Sequence, residues 1–268
     1  MIFVYSSDLH GNIDKYEKVL LFSLEQKVSL IHLGGDILVK GSDILGQQKK
    51  FINGYLKEFY EKCHKHSIDV IASFGNDDLY IHKKYFRKYA TLLDEIPYHK
   101  DGYEFIAYNF VDDYPFGLKT ACKIDHNGWK CQEPYISEPV DVDEQGFYEI
   151  ENVEEYFRKK GTIEDDLKLL KATNKTIMAM HMPPSGVGLD VCYGGRRVGS
   201  KAIYDWICRE KPPLFLCGHI HEAPAVSNIW KANIGDTIVI QPGQDIYKTT
   251  LVLIEITDKI SANLISIP

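Results

Sequence analysis

Met1-Ile2-Phe3-Val4-Tyr5-Ser6-Ser7-Asp8-Leu9-His10-Gly11-Asn12 is the stretch from which the rest of the chain can be read. Met1 to Tyr5 form an apolar run with β-branched and aromatic members, of the length of a buried strand. Along a strand, positions i and i+2 project to the same side, so Asp8 and His10 are expected to point at one spot. Gly11 and Asn12 break the strand, and the periodic segment from about Ile13 to Lys27 reads as a helix. A carboxylate and an imidazole converging at a strand end in an α/β unit stand where such sheets place their ligands.

The same unit recurs along the chain. Val28 to Leu33 runs into Gly34-Gly35-Asp36, and a helix over roughly Ile44 to His66 precedes Ile68 to Phe74, which runs into Gly75-Asn76-Asp77-Asp78. A helix at about Thr162 to Ala172 precedes Thr176 to Met180, which ends at His181. Another at about Ser200 to Arg209 precedes Pro213 to Cys217, which ends at Gly218-His219-Ile220-His221. Strands alternating with helices predict a largely parallel central sheet. From about Pro224 onward, short alternating runs without helices predict a second, mixed or antiparallel sheet packed on the first. Residues 110–153 fit neither pattern. They are rich in Tyr, Asp, Pro and Gly, and their aromatics (Tyr114, Phe116, Trp129, Tyr135, Phe147) predict a packed cap or lid inserted into a single domain spanning 1–268.

Composition narrows the function classes. A hydrophobic fraction of 44% and a charged fraction of 26% are those of an ordinary globular protein. The net charge of -7 argues against nucleic-acid binding through bulk charge. No apolar run approaches the roughly 18 residues of a membrane span. The chain enters a strand at once, so no signal peptide is expected. The six cysteines form no CxxC pair and read as reduced thiols, which predicts a cytoplasmic protein.

Gathered from the strand ends, Asp8, His10, Asp36, Asn76, His181, His219 and His221 make a set of nitrogen and oxygen donors too large for one tetrahedral zinc. The set suits two divalent ions sharing a carboxylate, and the absence of thiolates favours Mn, Fe, Mg or Zn. Two such ions clamp an in-line displacement at phosphorus. A single-metal hydrolase is the weaker option on donor count.

Asp8-Leu9-His10, Gly35-Asp36, Gly75-Asn76-Asp77-Asp78, His181 and Gly218-His219-Ile220-His221 resemble, in order and spacing, the calcineurin-like metallophosphoesterases. The resemblance implies a four-layer α/β fold, a two-sheet β-sandwich flanked by helices. It implies one metal held by Asp8, His10, Asp36 and His221, and a second held by Asp36, Asn76, His181 and His219. Asp36 and a hydroxide that attacks phosphorus would bridge them, and manganese is the expected activating ion. The substrate would be a small phosphoester or a nucleotide.

One position departs from the pattern. Many members of the family follow the metal-binding Asn with a His that protonates the leaving oxygen or steadies the phosphate; here the residue is Asp77. A carboxylate acts as a general acid only if its pKa rises well above about 3.9, and nearby cations push it down. Asp77 is therefore a doubtful catalytic group, and the expectation shifts from a monoesterase to a phosphodiesterase. The alternatives are a phosphomonoesterase acting on a nucleotide or phosphoprotein, and a non-catalytic scaffold with a vestigial metal site. The glycine-rich loop Gly194-Gly195-Arg196-Arg197 leads into a helix, so Arg196 and Arg197 are candidates to grip phosphate oxygens. Asn12, Asp43 and Asp78 read as turn or cap residues, Cys217 as a small buried apolar residue, and Glu222 as a partner of His221 or a solvated acid.

Overall fold

Both faces of the site-bearing strands are apolar, and the fold covers both. In the computed structural model, which describes every residue except 95 and 129, the first half supplies strands β1 (Ile2–Ser6), β2 (Leu30–Gly34), β3 (Asp69–Ser73), β4 (Thr91–Leu92), β5 (Tyr98–Lys100), β6 (Tyr103–Tyr108), β7 (Val111–Asp112) and β8 (Cys122–Lys123). The second half supplies β9 (Val140–Asp143), β10 (Gly146–Glu149), β11 (Thr176–Met180), β12 (Leu214–Leu216), β13 (Lys231–Ile234), β14 (Thr237–Ile240), β15 (Thr249–Ile256) and β16 (Ile260–Ile267). The helices are α1 (Ile13–Glu25), α2 (Ile44–Phe51), α3 (Lys57–Lys65), α4 (Lys83–Phe86), α5 (Val153–Lys160), α6 (Ile163–Leu169), α7 (Lys201–Glu210) and α8 (Ala223–Ser227), with a π-helical turn at Ile52–Leu56 joining α2 to α3.

Alternation along each strand builds the layers. Val4, Ile31 and Leu33 face outward and pack with Tyr16, Val19, Phe51 and Phe59 of α1 to α3 and with Leu56 of the π-helical turn. Phe3, Tyr5, Leu30 and Ile71 face inward, where they meet Phe105, Ile177, Ala179, Leu214 and Leu216 from a second sheet. Met178, Met180 and Phe215 on that sheet's outer side pack under Phe157, Leu167, Ile203 and Trp206 of α5 to α7. The result is helix, sheet, sheet, helix, with an apolar core in each of the three gaps.

The two sheets divide the chain differently from the sequence reading. The first runs β16-β15-β1-β2-β3-β4 and the second β13-β14-β12-β11-β6-β5. The five site-bearing strands therefore do not share one parallel sheet: β1, β2 and β3 lie in the first, β11 and β12 in the second. The closing strands do not form a sheet of their own either. β15 pairs antiparallel with β1, and β14 pairs parallel with β12, so the tail completes both sheets. The reason is that β1 and β12 each have an apolar edge with open backbone groups, and pairing there buries Leu251, Val252, Ile254 and Val239.

Residues 110–153 are not irregular throughout. They carry the short parallel pair β7–β8 and the antiparallel hairpin β9–β10. Trp129, one of the aromatics read as cap-forming, lies outside the described residues.

Candidate metal centre

The donors sit on loops just past the strand ends, and backbone conformation aims them. β1 stops at Ser6, so strand alternation does not bring Asp8 and His10 together. Asp8 (φ 58°), His10 (φ 46°), Asp36 (φ 49°) and His219 (φ 71°) all adopt the left-handed conformation instead. Such residues cost of order 1–3 kcal/mol and persist where surrounding contacts over-determine them. Those contacts are present. The Asp8 N–H donates to the Gly35 carbonyl at 2.9 Å and the His10 N–H to the Asp36 carbonyl at 2.8 Å, joining the first two loops. Asp78 does not cap the following helix. Its buried carboxylate accepts from Ile37 N, Leu38 N and Gly75 N, bracing the Asp36 loop against the Asn76 loop. Gly75 permits this approach, since a Cβ there would stand 2.2 Å from Asp36 Oδ1.

All seven predicted donors converge. Ligand atoms of Asp8, His10, Asp36 and His221 lie within 4.8 Å of one another. His10 Nε2 is 3.0 Å from His221 Nε2, and His221 Nε2 is 3.2 Å from Asp8 Oδ1. On the other side of Asp36, His181 Nε2 stands 3.4 Å from Asp36 Oδ2, and His219 Nδ1 is 2.7 Å from Asn76 Oδ1. Asp36 faces both groups.

The residues fit divalent cations. His181 Nδ1 lies 3.0 Å from the Gly34 carbonyl, which only accepts, so Nδ1 carries the proton. That leaves the Nε2 lone pair buried, without a hydrogen-bond partner and aimed at two carboxylates, which is the disposition of a metal ligand oriented by its other nitrogen. Asp8 and Asp36 are 1% and 2% exposed, and buried carboxylates call for a compensating positive charge. Burial raises both carboxyl pKa values, yet the facing imidazoles (His221 and His181 for Asp8, His181 and His10 for Asp36) outweigh it and hold them below the usual range. Burial pushes His10 down to about 4 and His219 to about 3. His181 goes the other way: burial opposes its charge, but Asp36 and Asp8 lift it to about 10.

The family description "Calcineurin-like phosphoesterase" matches residues 1–223. The chain belongs to that family. Membership makes it a metal-dependent phosphoester hydrolase of a binuclear family. Among solved structures, the protein TT1561 of Thermus thermophilus superposes with a TM-score of 0.55 at 14% identity, over 98% of this chain and 97% of that one. A dimetal phosphatase from Danio rerio gives 0.53 at 12% identity, over 100% and 98%. A putative 5'-nucleotidase from Staphylococcus aureus gives 0.50 at 13%, over 100% of this chain and 54% of that one. At such identities the likeness establishes the fold alone. A search of the curated proteins found no match.

In this calcineurin-like phosphoesterase, Asp77 is held in place rather than free. Its Oδ2 is 2.6 Å from Lys40 Nζ, its Oδ1 accepts from Asn76 Nδ2, and its N–H donates to Asp36 Oδ1. Burial and Asp36 raise its pKa to about 6, while Lys40 pulls it back. Burial works against the charge on Lys40, but Asp77 and Asp36 hold that pKa above the usual lysine value. Lys40 escaped the sequence reading because a lysine in a glycine-bounded loop carries no signal of its own. Its place four residues after Asp36 was the available clue. Gln241 supports the same edge structurally: its amide donates to the Gly218 and Ile220 carbonyls on either side of His219. The two arginines look elsewhere. Arg196 Nη2 donates to Gln132 Oε1 at 2.8 Å, and Arg197 Nη1 lies 3.6 Å from Asp190. Glu222 accepts from Tyr193 N. Among the described residues no helix is long and apolar enough to cross a membrane.

Proposed function

We propose that this chain is a binuclear metal-dependent phosphodiesterase acting on a small phosphoester. Asp8, His10, Asp36 and His221 would hold one divalent ion, and Asp36, Asn76, His181 and His219 the other, with Asp36 shared. When bound, such a pair acidifies water for attack on phosphorus and neutralises the phosphoryl oxygens. An all nitrogen-and-oxygen donor set suits Mn, Fe, Mg or Zn, and manganese is the ion proposed for activity.

Asp77 is the observation that carries the substrate preference. The position holds a carboxylate paired with Lys40 in place of an imidazole, so the site has no surplus positive charge there for a dianionic monoester. A diester brings one negative charge, and its leaving group takes a solvent proton. Lys40, half-exposed and paired with Asp77, would meet a phosphoryl oxygen of the substrate, and Arg196 and Arg197 would become outer contacts only by leaving Gln132 and Asp190. Residues 1–268 would work as one domain, because β15 closes the first sheet against β1, and 110–153 would cap it. The free cysteines suit a reducing, cytoplasmic setting.

The test combines metal analysis with an assay on an aryl phosphodiester and its matching monoester in added manganese. About two metals per chain with preferential diester turnover is the expected result. Lys40→Ala should lower diester kcat/KM by roughly 10- to 100-fold at unchanged metal content. Monoester turnover alone would overturn the role given to Asp77, and protein that takes up no metal would leave the scaffold reading.

A further inference from the structure

The turn Gln241-Pro242-Gly243-Gln244, which follows β14, grips the metal loop Gly218-His219-Ile220-His221 through both of its glutamines. They grip it at different histidines. Gln241 is fully buried, and its amide nitrogen brackets His219 by donating to the carbonyls before and after it. That amide is itself oriented, because its Oε1 accepts from the Gly243 N–H at 3.3 Å and the nitrogen is left to face the loop. His219 needs such bracing: its φ is 71°, and a non-glycine residue keeps that conformation only where its surroundings over-determine it. Gln244 instead donates its backbone N–H to the His221 carbonyl at 3.0 Å. Its side chain pins that backbone, with Nε2 donating to the Thr250 carbonyl at 2.8 Å and to Ser6 Oγ at 3.3 Å. Its Oε1 accepts from Lys15 Nζ at 3.0 Å, and Lys15 is a nearly buried residue of α1. Gly243 permits the approach, since a Cβ there would stand 2.6 Å from the His221 carbonyl oxygen.

We propose that these glutamines are positioning residues that divide the metal pair between them. Gln241 sets His219, and with it the ion held by Asp36, Asn76 and His181. Gln244 sets His221, and with it the ion held by Asp8, His10 and Asp36. This rests on the binuclear reading and on its assignment of the two histidines to different ions. Hydrogen-bonding partners that orient a ligand typically cost about 10- to 100-fold in metal affinity when removed. A turn that served only to stabilise the fold would not tell one ion from the other.

Calorimetry on the full chain, stripped with chelator and then titrated with manganese, tests the division. The wild type should take up about two ions. His219→Ala and His221→Ala should each retain one ion, which labels the two binding steps. Gln241→Met, close in size but without the amide, should weaken the step lost in His219→Ala by about 10- to 100-fold and leave the other unchanged. Gln244→Met should do the reverse. Gln244→Glu still accepts from Lys15 and from Thr250 N, and it should keep both steps. Gln244 is partly exposed, so its variants decide the matter even if Gln241→Met fails to fold. Ions that leave together in the histidine variants, or a folded glutamine variant that weakens both steps, the wrong step or neither, would overturn the division and leave the binuclear reading standing. A wild-type chain that takes up fewer than two ions would overturn the binuclear reading itself.

Discussion

Two regions of this protein bury charge, and they do it in opposite ways. In the inserted segment Lys119 is fully buried, yet its ammonium donates to Asp113 Oδ1 and the Tyr114 carbonyl and sits over the rings of Tyr135 and Tyr114. Asp113 also accepts from Gln132 N and the Tyr135 hydroxyl, so charge and hydrogen-bonding capacity are both satisfied within the segment. At the metal centre Asp8 and Asp36 face the imidazoles of His10, His181 and His221, and His181 Nε2 has no hydrogen-bond partner. The first arrangement is complete without a ligand. The second asks for cations. A buried charge marks a binding site only when its partners leave it unsatisfied.

The sharpest way to break this comparison is Asp36→Ala. Removing the shared carboxylate should abolish binding of at least one metal, read by elemental analysis, and lower diester turnover by roughly 10³-fold or more with the circular dichroism unchanged. Asp113→Leu should act on stability instead. Leaving the Lys119 ammonium buried and unpaired should cost about 3–5 kcal/mol in urea denaturation, and Lys119→Met added to it should recover most of that loss. If Asp113→Leu cost under about 1 kcal/mol, the inserted segment would not be the closed network described. Chelation should come next in size. Removing metal held at about 100 Kd should destabilise the wild type by about 2.7 kcal/mol, and Asp36→Ala by less.

His32 sharpens the comparison from the side of small effects. Its ring is fully buried between Tyr5 and Phe105, neither nitrogen has a hydrogen-bond partner, and burial pushes its pKa down from 6.5 to about 3. No carboxylate faces it, so it is an unsatisfied group without a ligand set. As pH falls below 6.5 the unfolded chain takes up this proton first, so the stability contributed by neutral His32 is lost progressively toward pH 3, at up to about 1.4 kcal/mol per pH unit. His32→Phe should flatten that part of the pH profile and raise stability at neutral pH by about 1 kcal/mol. Urea titrations at several pH values measure both.

The donors were legible in the sequence because each follows a β-rich run, a pattern that survives without knowing which strands pair. Pairing was not legible. β11 and β12 read as members of the sheet containing β1, since apolar runs buried on both faces look alike in either layer of the sandwich. The conformation that aims Asp8 and His10 was equally hidden, because strand alternation offered a simpler route to the same convergence. Asp78 read as a helix cap by residue type, while its three backbone partners lie 3 to 41 positions away in the chain. Lys40 acts through a contact with Asp77 made only after folding.

The left-handed backbone at four of the seven donors also limits what this centre can become. Outside glycine, Asp, Asn and His are the residues that adopt that conformation most readily, and β-branched residues the least. At positions 8, 10, 36 and 219 the loops therefore accept nearly the same short alphabet that oxygen- and nitrogen-loving ions require. A redesign seeking softer metals through sulfur ligands would have to work against the main chain at most of the site, and the place to start is 181 or 221, where the backbone imposes no such vocabulary.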